Sequence, residues 1–277
     1  MKVVFVGGDL RQKYASDYLI ENNIESLYIP YFSEAEFLGQ SNVIVLPLPA
    51  SADGVHLNIS NNENKSKIKL LDFLSHMGEN VLILGGKFSK DIKEFMVENK
   101  IRYIDYYDIE AFQIQNALLT AEGAIYYAKN RMSKSIHSSC VAILGFGRIG
   151  KILAYLCRSQ GAKTTVYARG DVDRTWSSVA GIKAFKIDKL GTGEPYKIDI
   201  IFNTIPHNII NENIISKIKK DTLVIDLASK PYGIDEELII KHQLNYHREL
   251  GIPGRYAPKS AGEILGQTII NILNTEG

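Results

Sequence analysis

The sequence predicts an α/β protein with two doubly wound parallel-sheet domains that are joined by a long bridge helix. Short apolar segments alternate with helix-period segments through both halves of the 277-residue chain, as βαβ units require. A glycine-rich turn separates two such segments in mid-chain. Residues 108–131 contain no proline and are rich in Ala, Glu, Gln and Leu, which predicts one long helix between the halves.

The first half is expected to form its own flavodoxin-like domain, made of residues 1–108 together with 258–277. Asp9 follows the pair Gly7-Gly8, where its side chain can cap the first helix. The polar stretch 58–67 is predicted to be a surface loop. Strands are expected at 2–7, 26–29, 42–46, 81–84 and 102–104, and helices at 10–22, 65–76 and 90–99.

The bridge helix is assigned to residues 109–135, with Asp108 as its cap, and the second domain to residues 136–257. A helix-period pattern also predicts a final helix over 260–273. In the second domain, strands are expected at 138–144, 163–168, 199–203 and 222–226.

The composition is that of an ordinary globular protein, with 45% hydrophobic and 23% charged residues. A net charge of +1 lacks the basic excess of proteins that bind nucleic acids or anionic membranes, so we predict neither partner. Without a recognisable signal peptide or a membrane-spanning apolar run, we expect a cytoplasmic protein. Cys140 and Cys157 are predicted to be small buried hydrophobes, with no disulfide and no metal site.

Residues 145–150 read G-x-G-x-x-G between a predicted strand and a predicted helix. In this setting Gly145 permits a tight turn, Gly147 lets phosphates approach the backbone, and Gly150 lets the helix pack on the strand. The motif therefore predicts a Rossmann dinucleotide-binding domain, with a glycine-rich turn that binds nothing as the alternative. The predicted cofactor-binding residues of the turn are Gly145, Phe146, Gly147, Arg148, Ile149 and Gly150.

The end of the next predicted strand bears on which nicotinamide cofactor binds. Sites for NAD usually place a carboxylate here, whereas this chain has Arg169, which can pair with a 2′-phosphate. We therefore predict NADP, with NAD not excluded. The alternative is that Arg169 is a solvated cation and that Asp171 accepts from the ribose.

Ligands of open parallel sheets bind beyond the carboxyl ends of the strands, so the turns after the later strands are further candidates. A plain exit from strand to loop is the alternative for each of these turns. His207 follows one of them and is a weaker candidate for a base. The predicted cofactor contacts from these turns are Asn203, Thr204, Pro206, Ala228 and Ser229.

The same rule points to an anion site in the first domain. The turn before the first helix combines backbone N–H groups with Arg11, although a capped helix with an exposed arginine is the alternative. Glu122 stands beside Gly123 in the bridge helix, where it is either a ligand-facing carboxylate or solvent-exposed. The predicted substrate-binding residues are Gly8, Asp9, Arg11, Ser51, Lys259 and Ser260.

Several motifs together resemble the family of the dipicolinate synthase A subunit, in order and over nearly the whole chain. The two terminal motifs, G-G-D-x-R-Q and A-P-K-x-A-G, are the most specific. His207, Arg255 and Tyr256 lie outside the family pattern, and so does the acid at Asp171. The motifs are Gly7–Gln12, Thr120–Gly123, Gly145–Gly150, Ala168–Arg169, Asn203–Pro206, Asp226–Gly233 and Ala257–Gly262.

The resemblance implies a fold like that of alanine and 2-hydroxyacid dehydrogenases, and an NADP-linked oxidation. A dihydrodipicolinate-type intermediate of the lysine route would become pyridine-2,6-dicarboxylate, in the mother cell of a sporulating bacterium. It also implies a flavoprotein-like second subunit, and we expect a homo-oligomer. Arg11 and Lys259 would anchor the substrate carboxylates, and Glu122 and Lys259 are the predicted catalytic residues. The alternatives are a 2-hydroxy or 2-amino acid dehydrogenase, and a nucleotide-binding subunit that gates a partner.

Overall fold

The computed structural model describes residues 1–30, 41–59, 68–78, 80–192 and 197–276. The chain divides into two compact units: residues 1–116 with 254–277 form the first, and residues 117–253 form the second. Each unit is an α/β structure with a parallel sheet, which confirms the predicted fold class. Part of the predicted loop at 58–67, and the predicted start of a helix at residue 65, fall outside the described residues.

Nine of the eleven strands in the described residues lie close to predicted positions. Their bounds are β1 (Lys2–Val6), β2 (Glu25–Ile29), β3 (Val43–Val45), β4 (Leu82–Gly85), β5 (Arg102–Asp105), β6 (Cys140–Leu144), β7 (Lys163–Tyr167), β8 (Lys183–Phe185), β9 (Ile200–Asn203), β10 (Leu223–Asp226) and β11 (Tyr246–Arg248). The helices are α1 (Leu10–Glu21), α2 (Leu70–Ser75), α3 (Lys90–Glu98), α4 (Glu110–Arg131), α5 (Arg148–Ser159), α6 (Asp171–Val179), α7 (Glu212–Ile215), α8 (Glu236–His242), α9 (Ile252–Tyr256) and α10 (Pro258–Glu276).

The described part of the first unit contains a five-stranded sheet in the order β2-β1-β3-β4-β5, with every described pairing parallel. This is the 2-1-3-4-5 order of flavodoxin-like folds. The central strands are apolar on both faces and fully buried, as a sheet covered by helices on both sides requires. Helix α10 packs along α1. At Gly262 an added Cβ would lie 2.8 Å from the Arg11 carbonyl oxygen, so the glycine permits this close packing.

The long helix α4 begins at Glu110, one residue later than its predicted cap implies. Asp108 ends a short 3-10 helix, and its carboxylate accepts a 2.7 Å hydrogen bond from Lys93 Nζ. The prediction that Asp108 caps the helix is therefore wrong, because the ion pair with α3 holds the carboxylate. Helix α4 runs without interruption from the first unit into the second.

The second unit holds a six-stranded sheet within its described residues, in the order β11-β10-β9-β6-β7-β8. Strand order reverses between β6 and β9, which is the switch point where Rossmann domains bind ligands. The edge strands β8 and β11 and the helices α6 to α9 were not predicted. All six elements are short, and no residue of β8 or β11 is buried, so these two strands lack the continuous apolar runs that mark the central strands.

The two cysteines have different surroundings. Cys157 is fully buried in α5, and desolvation raises the pKa of its thiol to about 12. Cys140 is only partly buried at the start of β6, so the prediction of two buried cysteines is wrong for this residue. Among the helices in the described part of the chain, none combines the length and the apolar character needed to cross a bilayer.

Candidate functional site

The G-x-G-x-x-G turn joins β6 to α5 at the switch point of the second sheet. Gly145 has φ +94°, a left-handed conformation that side chains disfavour, and an added Cβ would lie 2.6 Å from Thr204 Oγ1. A Cβ at Gly150 would overlap the Gly145 carbonyl group. The two outer glycines therefore fold the turn back against the helix, as a dinucleotide loop requires.

The middle glycine faces open space. Apart from Gly147 itself and its neighbours in the chain, no atom of the described structure lies within 4 Å of a Cβ added there, and Gly147 is the N-cap of α5. The first N–H groups of α5 and the positive end of its dipole thus face a space where an anion fits. Arg148 is exposed, Ile149 is half-buried, and Phe146 is 3% exposed and packs into the core. These features suit a pyrophosphate group, which the loop can hold mainly through its backbone.

Arg174 holds the backbone at the end of β7 by hydrogen bonds, and it was not among the residues predicted from the sequence. Its Nη1 donates to the carbonyl oxygens of Ala168 and Arg169, at 2.8 and 2.6 Å. Its Nη2 pairs with the carboxylate of Asp171, whose side chain is otherwise 92% exposed. Arg169 itself is exposed. The sequence did contain a sign of this ion pair, because Arg174 follows Asp171 by three residues and side chains at that spacing in a helix are neighbours.

Asn203 and Thr204, the predicted cofactor contacts at the end of β9, form side-chain hydrogen bonds within the protein. The Asn203 side chain is fully buried, and its Nδ2 donates to Asp226 Oδ1 at 2.8 Å and to the Ile205 carbonyl at 3.1 Å. The Thr204 hydroxyl donates to the Leu144 carbonyl at 2.8 Å. Both side chains therefore brace the turn, and a role in touching the cofactor stays a prediction for their backbone.

Asp226, at the end of β10, organises this edge of the sheet. Besides Asn203, its carboxylate accepts from the backbone N–H groups of Ala228 and Gly233, at 3.0 Å each, and from the Tyr246 hydroxyl at 2.8 Å. Burial, and then the bond to Asp226, raise the pKa of Tyr246, so its hydroxyl stays protonated and donates. A fully buried acid with four donors fixes the turns after β9 and β10 relative to each other.

The remaining predicted residues of this unit differ in exposure. Ala228 is buried, whereas Pro206, His207 and Ser229 are exposed. Glu122 is half-buried in α4. Pro206, His207 and Ser229 are therefore accessible to a ligand, whereas the Ala228 side chain packs in the interior.

The first unit contains a cavity of about 260 Å³ beside the amino end of α1. Apolar side chains make up much of its wall, together with a few polar groups, which is typical of small-molecule sites. The residues that line it include Gly8, Asp9, Arg11, Gln12, Tyr106 and Asn116.

Asp9 and Arg11 form a closed ion pair at the cavity. Asp9 is the N-cap of α1, as predicted, and accepts from the Arg11 backbone N–H at 3.0 Å. Arg11 Nε and Nη2 also donate to the Asp9 carboxylate at 2.9 Å, and Nη2 donates to the Leu48 carbonyl. Burial opposes ionisation of Asp9, yet Arg11 outweighs it and lowers the pKa of the carboxyl. Arg11 is therefore a held and largely neutralised cation, rather than an exposed one.

Three predicted substrate residues lie away from the wall of this cavity. The Ser51 hydroxyl donates to Asp53 at 3.1 Å, within its own loop. Lys259 is 74% exposed, with Glu263 at 3.9 Å, and Ser260 is exposed beside it. The structure thus brings Gly8, Asp9 and Arg11 together and leaves Ser51, Lys259 and Ser260 outside that group. Gln12, which lines the cavity, was missed as a site residue.

The sheet order, the switch-point loop and the open helix terminus define the class: a protein with the nicotinamide-nucleotide-binding domain of oxidoreductases. Residues 109–243 match the NAD-binding domain of D-isomer-specific 2-hydroxyacid dehydrogenases. Residues 2–107 match the N-terminal domain of the dipicolinate synthase A subunit.

Whole-chain comparisons identify the family. The chain is 30% identical to the dipicolinate synthase A subunit of Bacillus subtilis, over 99% of this chain and 96% of that protein. It therefore belongs to the family of the dipicolinate synthase A subunit, as the motifs indicated. The crystal structure of the corresponding protein from Bacillus halodurans superposes with a TM-score of 0.86, at 26% identity over 98% of this chain and 97% of that one.

A more distant likeness concerns the fold. D-lactate dehydrogenase from Escherichia coli aligns with a TM-score of 0.66 at 12% identity, over 100% of this chain and 97% of that one. The two-unit α/β architecture is thus the one found in 2-hydroxyacid dehydrogenases, as the resemblance implied.

Proposed function

We propose that the protein oxidises a dihydrodipicolinate-type dicarboxylate to pyridine-2,6-dicarboxylate with NADP as the electron acceptor. The observation that carries this proposal is the 30% identity to a dipicolinate synthase A subunit over 99% of the chain. The glycine loop and the small cavity at α1 support it, because they offer a place for a dinucleotide and a place for a ring-sized acid.

The proposed reaction removes two hydrogens from the ring. One leaves as a hydride and the other as a proton, so that each pyridine-2,6-dicarboxylate formed accompanies one NADPH and one H⁺. When bound, the nicotinamide supplies the hydride acceptor. Because the product is aromatic, the step is strongly downhill and positioning of the substrate supplies most of the catalysis.

The residues proposed for the substrate keep their predicted roles. Arg11, beside Gly8 and Asp9, is the proposed anchor for one carboxylate, and Lys259, which lies outside the cavity wall, stays the proposed anchor for the other. Glu122 accepts the proton or orients the substrate.

Glu122→Gln should lower kcat about 100-fold with little change in KM, since general bases typically contribute about 10²–10⁴-fold. Steady-state kinetics with the dihydropyridine dicarboxylate measure both constants. Glu110→Gln, which changes an exposed carboxylate at the start of the same helix, is the control. Equal kcat values for both variants would remove Glu122 from the mechanism.

We propose NADP over NAD because Arg169, at the end of β7, is exposed and can pair with a 2′-phosphate. Arg174 already pairs with Asp171, which leaves that carboxylate less able to repel a 2′-phosphate or to accept from a ribose. A ligand that binds only the folded state raises the melting temperature by mass action. Parallel titrations with NADPH and NADH should show the larger increase with NADPH, and Arg174→Ala should narrow the difference. A larger increase with NADH would reverse the assignment.

The name shared by the relatives describes one subunit of a synthase, which supports a partner. We propose that the protein acts with a second, flavoprotein-like subunit, as a homo-oligomer, in the cytoplasm of the mother cell of a sporulating bacterium. Product formation by the purified chain, measured with and without that second protein, tests the partnership. A rate that the second protein leaves unchanged would contradict it.

A second candidate function is the oxidation of a 2-hydroxy or 2-amino acid. The match of residues 109–243 to the 2-hydroxyacid dehydrogenase domain favours it. Turnover of lactate or alanine by the purified chain, in the absence of any turnover of a dihydropyridine dicarboxylate, would select this candidate. A chain that binds NADPH and turns over neither class of substrate would instead be a nucleotide-binding subunit that gates its partner.

A further inference from the structure

Gln12 is a buried amide without a partner. Its side chain is 2% exposed, and neither Oε1 nor Nε2 has a hydrogen-bond partner in the described structure. Buried polar groups in proteins are almost always hydrogen-bonded, so an exception needs an explanation. Gln12 lines the cavity beside Arg11, which makes a ligand the natural partner.

The surrounding structure holds this side chain at the cavity wall. A Cβ added at Gly8 would lie 2.6 Å from Gln12 Cγ and 3.2 Å from the Pro47 ring, so glycine leaves the room that the amide stem occupies. Tyr106 also lines the cavity, but its hydroxyl donates to the Leu46 carbonyl at 2.9 Å. Gln12 therefore offers the two N–H donors of Nε2 and the acceptor Oε1, all of which the described structure leaves unused.

The cavity accepts only a small ligand. Its volume of about 260 Å³ is below the range of roughly 300–1,000 Å³ that is usual for pockets of drug-sized ligands. Arg11 contributes a guanidinium with its Nε and Nη2 already occupied by Asp9 and Leu48. A compact ring acid with one carboxylate near the Arg11 guanidinium fits this size.

We propose that Gln12 selects a non-aromatic ring dicarboxylate that carries an N–H or O–H donor close to a carboxylate. Nε2 donates to the carboxylate oxygen and Oε1 accepts from the ring donor. This inference rests on the proposed function and specifies the form of its substrate. A pyridine ring has lost the N–H and presents only acceptors, so oxidation deprives Oε1 of its partner and favours product release.

The test uses two ring dicarboxylates as probes. The ring nitrogen of piperidine-2,6-dicarboxylate is an NH2+ donor at neutral pH, whereas that of pyridine-2,6-dicarboxylate carries no hydrogen. Because the two acids also differ in charge and ring shape, the variants below are needed to assign a preference to Gln12. The dissociation constants of the two acids are measured by calorimetry on the full chain saturated with NADPH. We expect the piperidine acid to bind about tenfold more tightly, which is the usual effect of one hydrogen bond whose loss leaves a buried group unpaired.

Two variants assign that preference to Gln12. Gln12→Met keeps the length of the side chain and removes both polar atoms, so the tenfold preference should disappear. Gln12→Glu keeps an acceptor and repels carboxylates, so both acids should bind more weakly while the preference remains. Gln115→Met, at an exposed position of α4, is the control and should behave as the wild type.

Each outcome has a distinct meaning. If both acids bind equally to the wild-type chain, or if Gln12→Met keeps the preference, the inference about Gln12 is wrong and the proposed function survives. If Gln12→Met changes only the melting temperature, a buried water satisfies the amide and the inference is again wrong. If neither acid binds the NADPH-saturated chain, the inference and the proposed substrate class both fail.

Discussion

The glycine loop of the second unit and the cavity of the first unit are built in different ways. The loop depends on backbone: Gly145 and Gly150 remove side chains where the chain must fold tightly, and Gly147 leaves space for a ligand. The cavity depends on side chains, with Asp9 and Arg11 locked together and the Gln12 amide left unpaired.

This difference explains what each region can recognise. A backbone loop at a helix terminus binds any pyrophosphate, so it defines a cofactor class and no substrate. A buried amide beside a held guanidinium recognises a particular arrangement of donors and acceptors. The loop is therefore a general feature of dehydrogenases, whereas the specificity of this chain is proposed to depend on the cavity.

The largest loss of stability is expected for substitution of Asp226, which holds the turns after β9 and β10 in the same unit as the glycine loop. Asp226→Ala removes the acceptor for two buried backbone N–H groups, the Asn203 amide and the Tyr246 hydroxyl. Each unsatisfied buried donor costs about 1–3 kcal/mol, so the free energy of unfolding should fall by about 3 kcal/mol or more. Urea denaturation measures it, with the exposed Asp221→Ala as control. Equal losses in both variants would show that the network contributes nothing.

The next effect concerns the loop itself. Gly150→Ala places a Cβ against the Gly145 carbonyl, so the turn must open. Overpacking of this kind costs about 1–3 kcal/mol, and NADPH affinity should fall more than about tenfold. Gly78→Ala is the matched control, because its Cβ meets no atom of the described structure within 4 Å. A normal dissociation constant for NADPH in Gly150→Ala would exclude the loop as the cofactor site.

The smallest effect is the pH dependence of the ion pair at the cavity. The pKa of Asp9 is lowered from its ordinary value of 3.8, so the folded state binds the proton less readily than the unfolded state. Its contribution is complete above about pH 4 and is lost as the pH falls through the folded pKa. The carboxylate is partly exposed, so the contribution should be less than about 1 kcal/mol.

Urea denaturation between pH 5 and pH 3 measures this contribution, with Asp9→Asn for comparison. The wild-type chain should lose more stability over that interval than the variant does. Parallel pH profiles would mean that the pair does not stabilise the fold.

The same contrast explains which parts of the fold and of the candidate site could be predicted from the sequence. The buried strands β1 and β6 and the turn at Gly145 have local signals, namely continuous apolar runs and fixed glycine spacing, so they were predicted. Asp9 was predicted as a cap for the same reason. Local sequence does not show which partner a polar side chain finds across the fold.

Asn203, Asp108 and Gln12 illustrate that limit. Asn203 was expected to meet the cofactor and is instead bonded to Asp226, 23 residues away. Asp108 was expected to cap α4 and pairs with Lys93. The side-chain amide of Gln12 has no hydrogen-bond partner in the described structure, which could not be known without its burial.

A crossed measurement on Gly147→Ala and Arg11→Ala tests most directly whether the loop binds the cofactor and the cavity binds the substrate. For each variant, the dissociation constant of NADPH and the KM for the dihydropyridine dicarboxylate are determined, after the melting temperature has shown that the variant folds. We predict that Gly147→Ala weakens NADPH binding with little change in KM, and that Arg11→Ala raises KM with little change in NADPH binding. Equal changes of both constants in both variants would contradict the assignment of separate roles to the loop and the cavity.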